Sequence, residues 1–376
     1  MSGIARSAHG VFDACFGGQA AAHPGRRLHA ALLDAVADPG EPWERRPSLC
    51  HDGTPLVYSF KSGGQGGGLR ILVEPGARAA PVSRQIPDAL NTARTLLTHV
   101  EGEGVAELLQ EIASAALPAS PEDRDRLWGG IWLGAVIGAQ PSELRLYVNL
   151  RHGTPLQRWQ RVADLLAPLA PRALEPEVAR WMQCLAPHAL PVGLGVAVRG
   201  GRLLALRIYA GHAAPTRASL TGSCRLGGEA ACVLEEVVAD FEQRFGALRP
   251  QAVTTGHDFV LDDASRIVYF GRCKVDLSCQ AVAAPERCAL EAWVHGAFDA
   301  LTAPASAEMK DRRRPTPAEI AARTPSSSAP AAWTLERFTA ALHTHWGGAT
   351  TEFLSLGFAD QTLSHATVYA KPGPRH

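Results

Sequence analysis

Two Arg-x-Tyr pairs, Arg145/Tyr147 and Arg207/Tyr209, carry the first chemical signal in this sequence. Alternate residues of a strand share a face, so each pair sets a permanent cation beside an aromatic ring. Arg70 and Lys274 occupy comparable places, as do Tyr369 and, near a rim, Lys371. The chain has only five tyrosines, so three at matching strand positions form a pattern. An arginine fork matches phosphate oxygens, and several cations confined in one cavity need an anion to offset their repulsion. Ring faces attract positive charge. Together these residue types could bind a phosphorylated ligand next to a walled-in cationic group. Any one pair is more readily read as a solvated outer-face pair, and it is the repetition that favours a site.

The elements that must position them recur five times: two strand-like runs around a Gly-, Pro- or polar-rich turn, then helical stretches. The hairpins span 54–76, 129–150, 190–211, 257–279 and 352–373, and helical patterns fill stretches between them such as 155–169, 177–186, 229–246, 286–301 and 334–346. Hairpins pair antiparallel, and helices need an apolar sheet face to cover. Leu144, Leu146 and Val148 oppose Arg145, Tyr147 and Asn149; Leu206 and Ile208 oppose Ala205, Arg207 and Tyr209; Val275 and Leu277 oppose Lys274, Asp276 and Ser278. The aliphatic sets should face the helices and the cations and tyrosines the opposite side. The predicted fold class is α+β: a ten-stranded antiparallel β-barrel of five α-β-β-α units, helices outside, with a ligand-filled lumen. Outer-membrane barrels also alternate this way, but long helices do not separate their strands.

Composition narrows the functions. The chain has 376 residues, 46% hydrophobic, with 37 basic and 37 acidic side chains, so it can bury a large core and offers no electrostatic grip on nucleic acid. It contains no run of about 18 apolar residues, which predicts no membrane partner and a cytoplasmic protein. One domain is expected over 1–376, with a loose Ala/Pro/Ser-rich insertion at about 303–332. SGGQGGG (62–68) looks like a phosphate loop but joins two strands, so a hairpin turn is the better reading. Asp262–Asp263 and Asp123–Arg124–Asp125 fit turns and helix starts and H-E-x-x-H does not occur, so no metal site is predicted, and no G-x-S-x-G offers a serine nucleophile.

At these residues the sequence resembles the aromatic prenyltransferases of the ABBA (PT-barrel) type, the dimethylallyltryptophan synthase family in its bacterial form. TPLVYSFKSGGQGGGLRILVEPG, with Arg70 and Glu74-Pro75, is similar to the family's first hairpin. ELRLYVN and LALRIYAG resemble the second and third, and FLSLGFADQTLSHATVYAKP the last, carrying its Tyr at Tyr369. The resemblance implies transfer of a dimethylallyl or longer prenyl group from its diphosphate to an electron-rich aromatic acceptor such as an indole. Arg70, Arg145, Arg207 and Lys274 would hold the diphosphate. Tyr147, Tyr209 and Tyr369 would shield the allylic cation, and Val57 and Ser59 of the first strand would face the acceptor. The implied partners are a prenyl diphosphate co-substrate and an aromatic small molecule, with no cofactor and no metal, in a monomer or homodimer. Three positions depart from the family pattern: Val57 stands where a Glu is usual, Ala205 replaces a cation and Asp276 a tyrosine. Asp276 or a water is then left to take the proton, or the acceptor needs little help in losing it. A barrel that binds a phosphorylated or aromatic ligand without chemistry is the competing expectation.

Overall fold

Strand alternation leaves each hairpin with one aliphatic face that must leave water. The computed structural model describes residues 3–36, 54–62, 68–76, 80–138, 142–250, 252–279, 286–302, 335–346 and 349–372. The expected insertion at 303–332 and the turn residues 63–67 lie outside that set. The strands are β1 (Leu56–Lys61), β2 (Gly68–Val73), β3 (Ile131–Ile137), β4 (Glu143–Asn149), β5 (Ala189–Arg199), β6 (Arg202–His212), β7 (Val253–Leu261), β8 (Ile267–Ser278), β9 (Ala349–Ala359) and β10 (Thr362–Pro372). Each pairs antiparallel with its sequence neighbours, and β10 closes on β1 through Ser59 opposite Tyr369 and Lys61 opposite Thr367. The predicted ten-stranded barrel is therefore the observed one.

The described helices are α1 (Gly3–Phe16), α2 (Arg26–Asp34), α3 (Val82–Leu97), α4 (Ala106–Ala116), α5 (Pro121–Asp125), α6 (Pro155–Leu166), α7 (Glu175–Leu185), α8 (Arg217–Ser223), α9 (Gly228–Phe245), α10 (Arg287–Thr302) and α11 (Leu335–Trp346). Local chemistry starts several of them. Thr154 and Thr216 cap α6 and α8, each in a reciprocal bond with the residue three positions on, which satisfies two amide donors a helix otherwise leaves open. The apolar stripes lie on the barrel's outer surface: Leu144, Leu146, Val148, Leu206, Ile208, Val275, Leu277 and Val368 are buried beneath them. Trp181 of α7 meets Phe259 of β7 edge-on, ring centres 5.0 Å apart. Each such aliphatic side chain contributes about 1.5–3 kcal/mol on leaving water. The core is thus a shell between barrel and helices, so the barrel interior is free to be polar.

Two tight turns set strand register at the β5–β6 and β9–β10 hairpins. Gly200 and Gly201 join β5 to β6 with φ of 55° and 73°, and Asp360 and Gln361 join β9 to β10 with 50° and 62°. Two consecutive left-handed residues match the twist of the flanking strands. The Gln361 side chain then accepts from the Gly227 amide at 2.6 Å and donates to the Arg225 carbonyl at 3.0 Å, tying the last hairpin to the α8–α9 connection.

Candidate functional site

Register decides which inner-face side chains meet. Arg145 lies opposite Gly134 and Ala197, Tyr147 opposite Trp132 and Gly195, and Arg207 opposite Gly195 and Asp258. Tyr209 lies opposite Gly193 and Gly256, and Lys274 opposite Gly256 and Gly357. Nearly every long polar side chain is thus flanked by glycine. A Cβ on Gly195 would stand 3.2 Å from the Tyr209 ring, and one on Gly256 only 3.0 Å from Lys274 Cγ and 3.1 Å from Arg207 Cδ. Glycine at the inner positions of β5, β7 and β9 lets these side chains lie across the neighbouring strand, and that spacing was available in the sequence as a signal.

Arg145, Tyr147, Arg207 and Tyr209 line one cavity of roughly 300 Å³ at the end of the barrel where β4 starts, with Arg199 and Arg272 at its edge. Three of the four predicted cations, Arg145, Arg207 and Lys274, are held by carboxylates of the chain itself, which the expectation from sequence did not include. Arg145 donates to Glu143 at 2.5 Å. Arg207 grips Asp258 with both arms of its fork, Nη2 to Oδ2 at 2.6 Å, and Lys274 Nζ lies 2.7 Å from Asp276 Oδ2. Burial alone would lower the guanidinium of Arg145 and raise the carboxyl of Glu143, but their mutual attraction outweighs it and both stay charged. The same holds for Arg207 and Asp258. Glu143 shares a strand face with Arg145, so the sequence contains that pair. Asp258 reaches Arg207 only across a strand junction 51 residues away.

Arg70 of β2 faces the same lumen. Burial lowers its pKa first, then Arg145, with Tyr369, Tyr147 and Arg207 also within electrostatic reach, and its Nε has no hydrogen-bond partner among the described residues. Lys61 joins it. Burial, then Arg70, Arg145 and Arg207, push its ammonium down to about 7. Lys61 was missed in the sequence although Val57, Ser59 and Lys61 alternate onto one face. The rim candidate Lys371 is instead held by Glu352 in a pair with 7% and 1% exposure. His365 is neutral, pushed to about 2 by burial and by Lys61. Among the described residues Lys61, Arg70, Arg145, Arg207 and Lys274 therefore face the carboxylates Glu143, Asp258 and Asp276.

A pH dependence follows. A bound anion raises the Lys61 pKa again, so affinity is greatest below about pH 7 and falls as pH climbs through 7, where the free protein loses that charge. Inorganic diphosphate binding, followed by calorimetry, should weaken by about tenfold between pH 6 and pH 9 beyond what Lys61→Met shows. Parallel losses in both proteins would remove Lys61 from the site.

Deeper in the lumen the Tyr147 and Tyr209 ring centres are 6.1 Å apart. Lys274 Nζ stands 4.9 Å from the Tyr209 ring centre and 5.4 Å from that of Tyr369, and donates to the Tyr369 hydroxyl at 3.4 Å. Burial would raise the Tyr369 pKa, yet Lys274 beside it brings it below the usual phenol value, while burial holds Tyr209 up at about 12. These faces accept a positive charge. Val57 and Ser59, 4% and 2% exposed, line the β1 wall, Ser59 opposite Arg70 and Tyr369. Phe353 packs edge-on against Tyr369 at 6.1 Å. All ten residues singled out in the sequence thus lie on strands of the one barrel, and those of β4, β6, β8 and β10 touch one another.

No protein-family profile matches the chain, and no curated protein matches it by sequence. Solved structures match over its whole length. The 5-dimethylallyltryptophan synthase of Streptomyces coelicolor superposes with a TM-score of 0.70 at 16% identity, covering 98% of this chain and 96% of that one. The 6-dimethylallyltryptophan synthase of Micromonospora olivasterospora, solved with DMASPP and Trp, gives 0.67 at 14% identity, with 99% and 98% covered. AnaPT of Neosartorya fischeri gives 0.63 at 11%, with 98% and 92% covered. The barrel is that of the ABBA aromatic prenyltransferases.

Proposed function

We propose, from a barrel shared with those transferases and from its luminal side chains, that the chain transfers a prenyl group, most simply dimethylallyl, from its diphosphate to an electron-rich aromatic acceptor. The observation that carries this reading is the Lys274 ammonium lying against both Tyr209 and Tyr369, next to a cavity walled by Arg145 and Arg207. One end of the lumen thus suits an anion and the adjoining stretch suits a cation, which is the charge distribution of an ionising allylic diphosphate.

In this mechanism the diphosphate takes over guanidinium N–H groups now turned toward Glu143 and Asp258. Arg70, Arg145, Arg207 and Lys274 stabilise the negative charge that grows on it as the allylic C–O bond breaks. Tyr147, Tyr209 and Tyr369 face the allylic cation and keep water from it. The acceptor ring attacks the cation, and the ring proton that leaves passes to Asp276, since Val57 on β1 offers no base. Among the described residues no group of three or more metal-ligating His, Cys, Asp or Glu side chains converges. No described helix is long and apolar enough to cross a membrane.

The test is a mass-spectrometric assay of dimethylallyl and geranyl diphosphate against tryptophan, cyclic dipeptides containing it and simple phenols, with and without EDTA. A product heavier by one prenyl unit is expected, unaffected by EDTA. The three carboxylates that already pair with Arg145, Arg207 and Lys274 favour the noncatalytic barrel as the second reading. Failure to bind a prenyl thiolodiphosphate by calorimetry would decide for it.

A further inference from the structure

A row of polar side chains crosses three neighbouring strands, each with one side-chain oxygen that has no partner among the described residues. Asp276 of β8 lies opposite Ser355 of β9, and Ser355 opposite Thr367 of β10. All three alternate onto the inner face, with Lys274, Phe353 and Tyr369 as their same-face neighbours two residues away. They are 8%, 1% and 0% exposed. Asp276 uses Oδ2 on Lys274, but its Oδ1, the Ser355 Oγ and the Thr367 Oγ1 have no hydrogen-bond partner among the described residues. Buried hydroxyls and carboxylate oxygens left unpaired are costly, so a fold that keeps three of them in one row is arranged for something else to bond them. On the β1 wall, by contrast, Val57 is apolar and buried.

We propose that Asp276, Ser355 and Thr367 form the hydrogen-bonding wall for the acceptor, selecting aromatic molecules that carry an O–H or N–H directed at β8–β10. Two hydroxyls that both donate and accept, beside one carboxylate oxygen that only accepts, match a protic ring substituent with a second polar atom near it. An acceptor whose proton is replaced by methyl leaves these groups buried and unpaired, which is how polar sites reject such analogues. The wall rests on the transferase reading above, and it adds Ser355 and Thr367 as specificity-determining residues and moves acceptor recognition from β1 to the opposite side of β10.

The experiment loads the protein with dimethylallyl thiolodiphosphate and titrates α-naphthol against its methyl ether, and indole against N-methylindole, by calorimetry. Wild type is expected to prefer the protic member of at least one pair by about tenfold or more, and Ser355→Ala and Thr367→Val to lose that preference with donor affinity unchanged, while Thr367→Ser keeps it. Because the hydroxyls have no partners to lose, Ser355→Ala and Thr367→Val should also unfold at or above the wild-type temperature. Equal affinity within both pairs, no binding of any of the four, a preference that survives in both variants, or a fall in unfolding temperature of several degrees in both would each overturn the wall. A protein that fails to bind the thiolodiphosphate overturns the transferase reading instead.

Discussion

Arg207→Ala is expected to cut turnover by about two to three orders of magnitude, the usual cost of removing one preorganised group from a developing anion. The substitution also leaves Asp258 without its fork. That carboxyl is held below its usual pKa by Arg207 against an opposing burial effect, so the single variant loses stability as well as activity. The paired variant Arg207→Ala/Asp258→Asn separates the two effects. It removes both charges, so its unfolding temperature should return toward wild type while its turnover stays low. Turnover in that double variant within about threefold of wild type would show that Arg207 holds only Asp258 and not the diphosphate. The loss of stability is expected whichever way the activity falls, because it depends only on an ion pair seen in the structure.

The second large effect is expected at Asp276. An amide in its place keeps the shape but cannot accept a proton, so Asp276→Asn should lower kcat by about a hundredfold or more. Donor affinity should stay the same or rise, because one negative charge leaves the neighbourhood of Lys274 and of the diphosphate. Asp276→Glu, which restores a carboxylate on a longer arm, should recover part of kcat. Single-turnover measurements separate the chemical step from product release and so report the loss where it arises. A kcat in Asp276→Asn close to that of wild type would give the proton to water. A parallel collapse of donor binding would make Asp276 a positioning residue for Lys274, to which it is bonded at 2.7 Å.

The charge pairs bear on how donor and lumen come together. Glu143, Asp258 and Asp276 each hold a cation in place, which keeps long side chains ordered before any ligand arrives. Among the described residues no carboxylate pairs with Arg70, whose Nε is unpartnered, and Lys61 is half-neutralised near pH 7 by burial and by its cationic neighbours. In the proposed transferase these two are the positions from which an incoming diphosphate would gain most, since it would displace no described carboxylate there. The other three must exchange one anion for another, a near balance that favours tight geometric selection over raw affinity.

The sequence by itself determined the five hairpins, the helical shell and the side of each strand that faces inward. Leu146 against Tyr147, or Ile208 against Tyr209, suffices, because the two-residue period of a strand and the need to bury aliphatic carbon are local properties. The family resemblance then supplied the proposed roles of Arg70, Arg145, Tyr147, Arg207, Tyr209 and Tyr369 at those inner positions. What tertiary structure alone decided is which of these groups meet. Arg207 finds Asp258, Lys371 turns to Glu352 while Lys61 faces the lumen, and Asp276, Ser355 and Thr367 line up across three strands. Such meetings depend on the register of strands far apart in the chain and on the closure of β10 against β1, and register is set by the packing of the whole barrel against its helices, which no local period encodes.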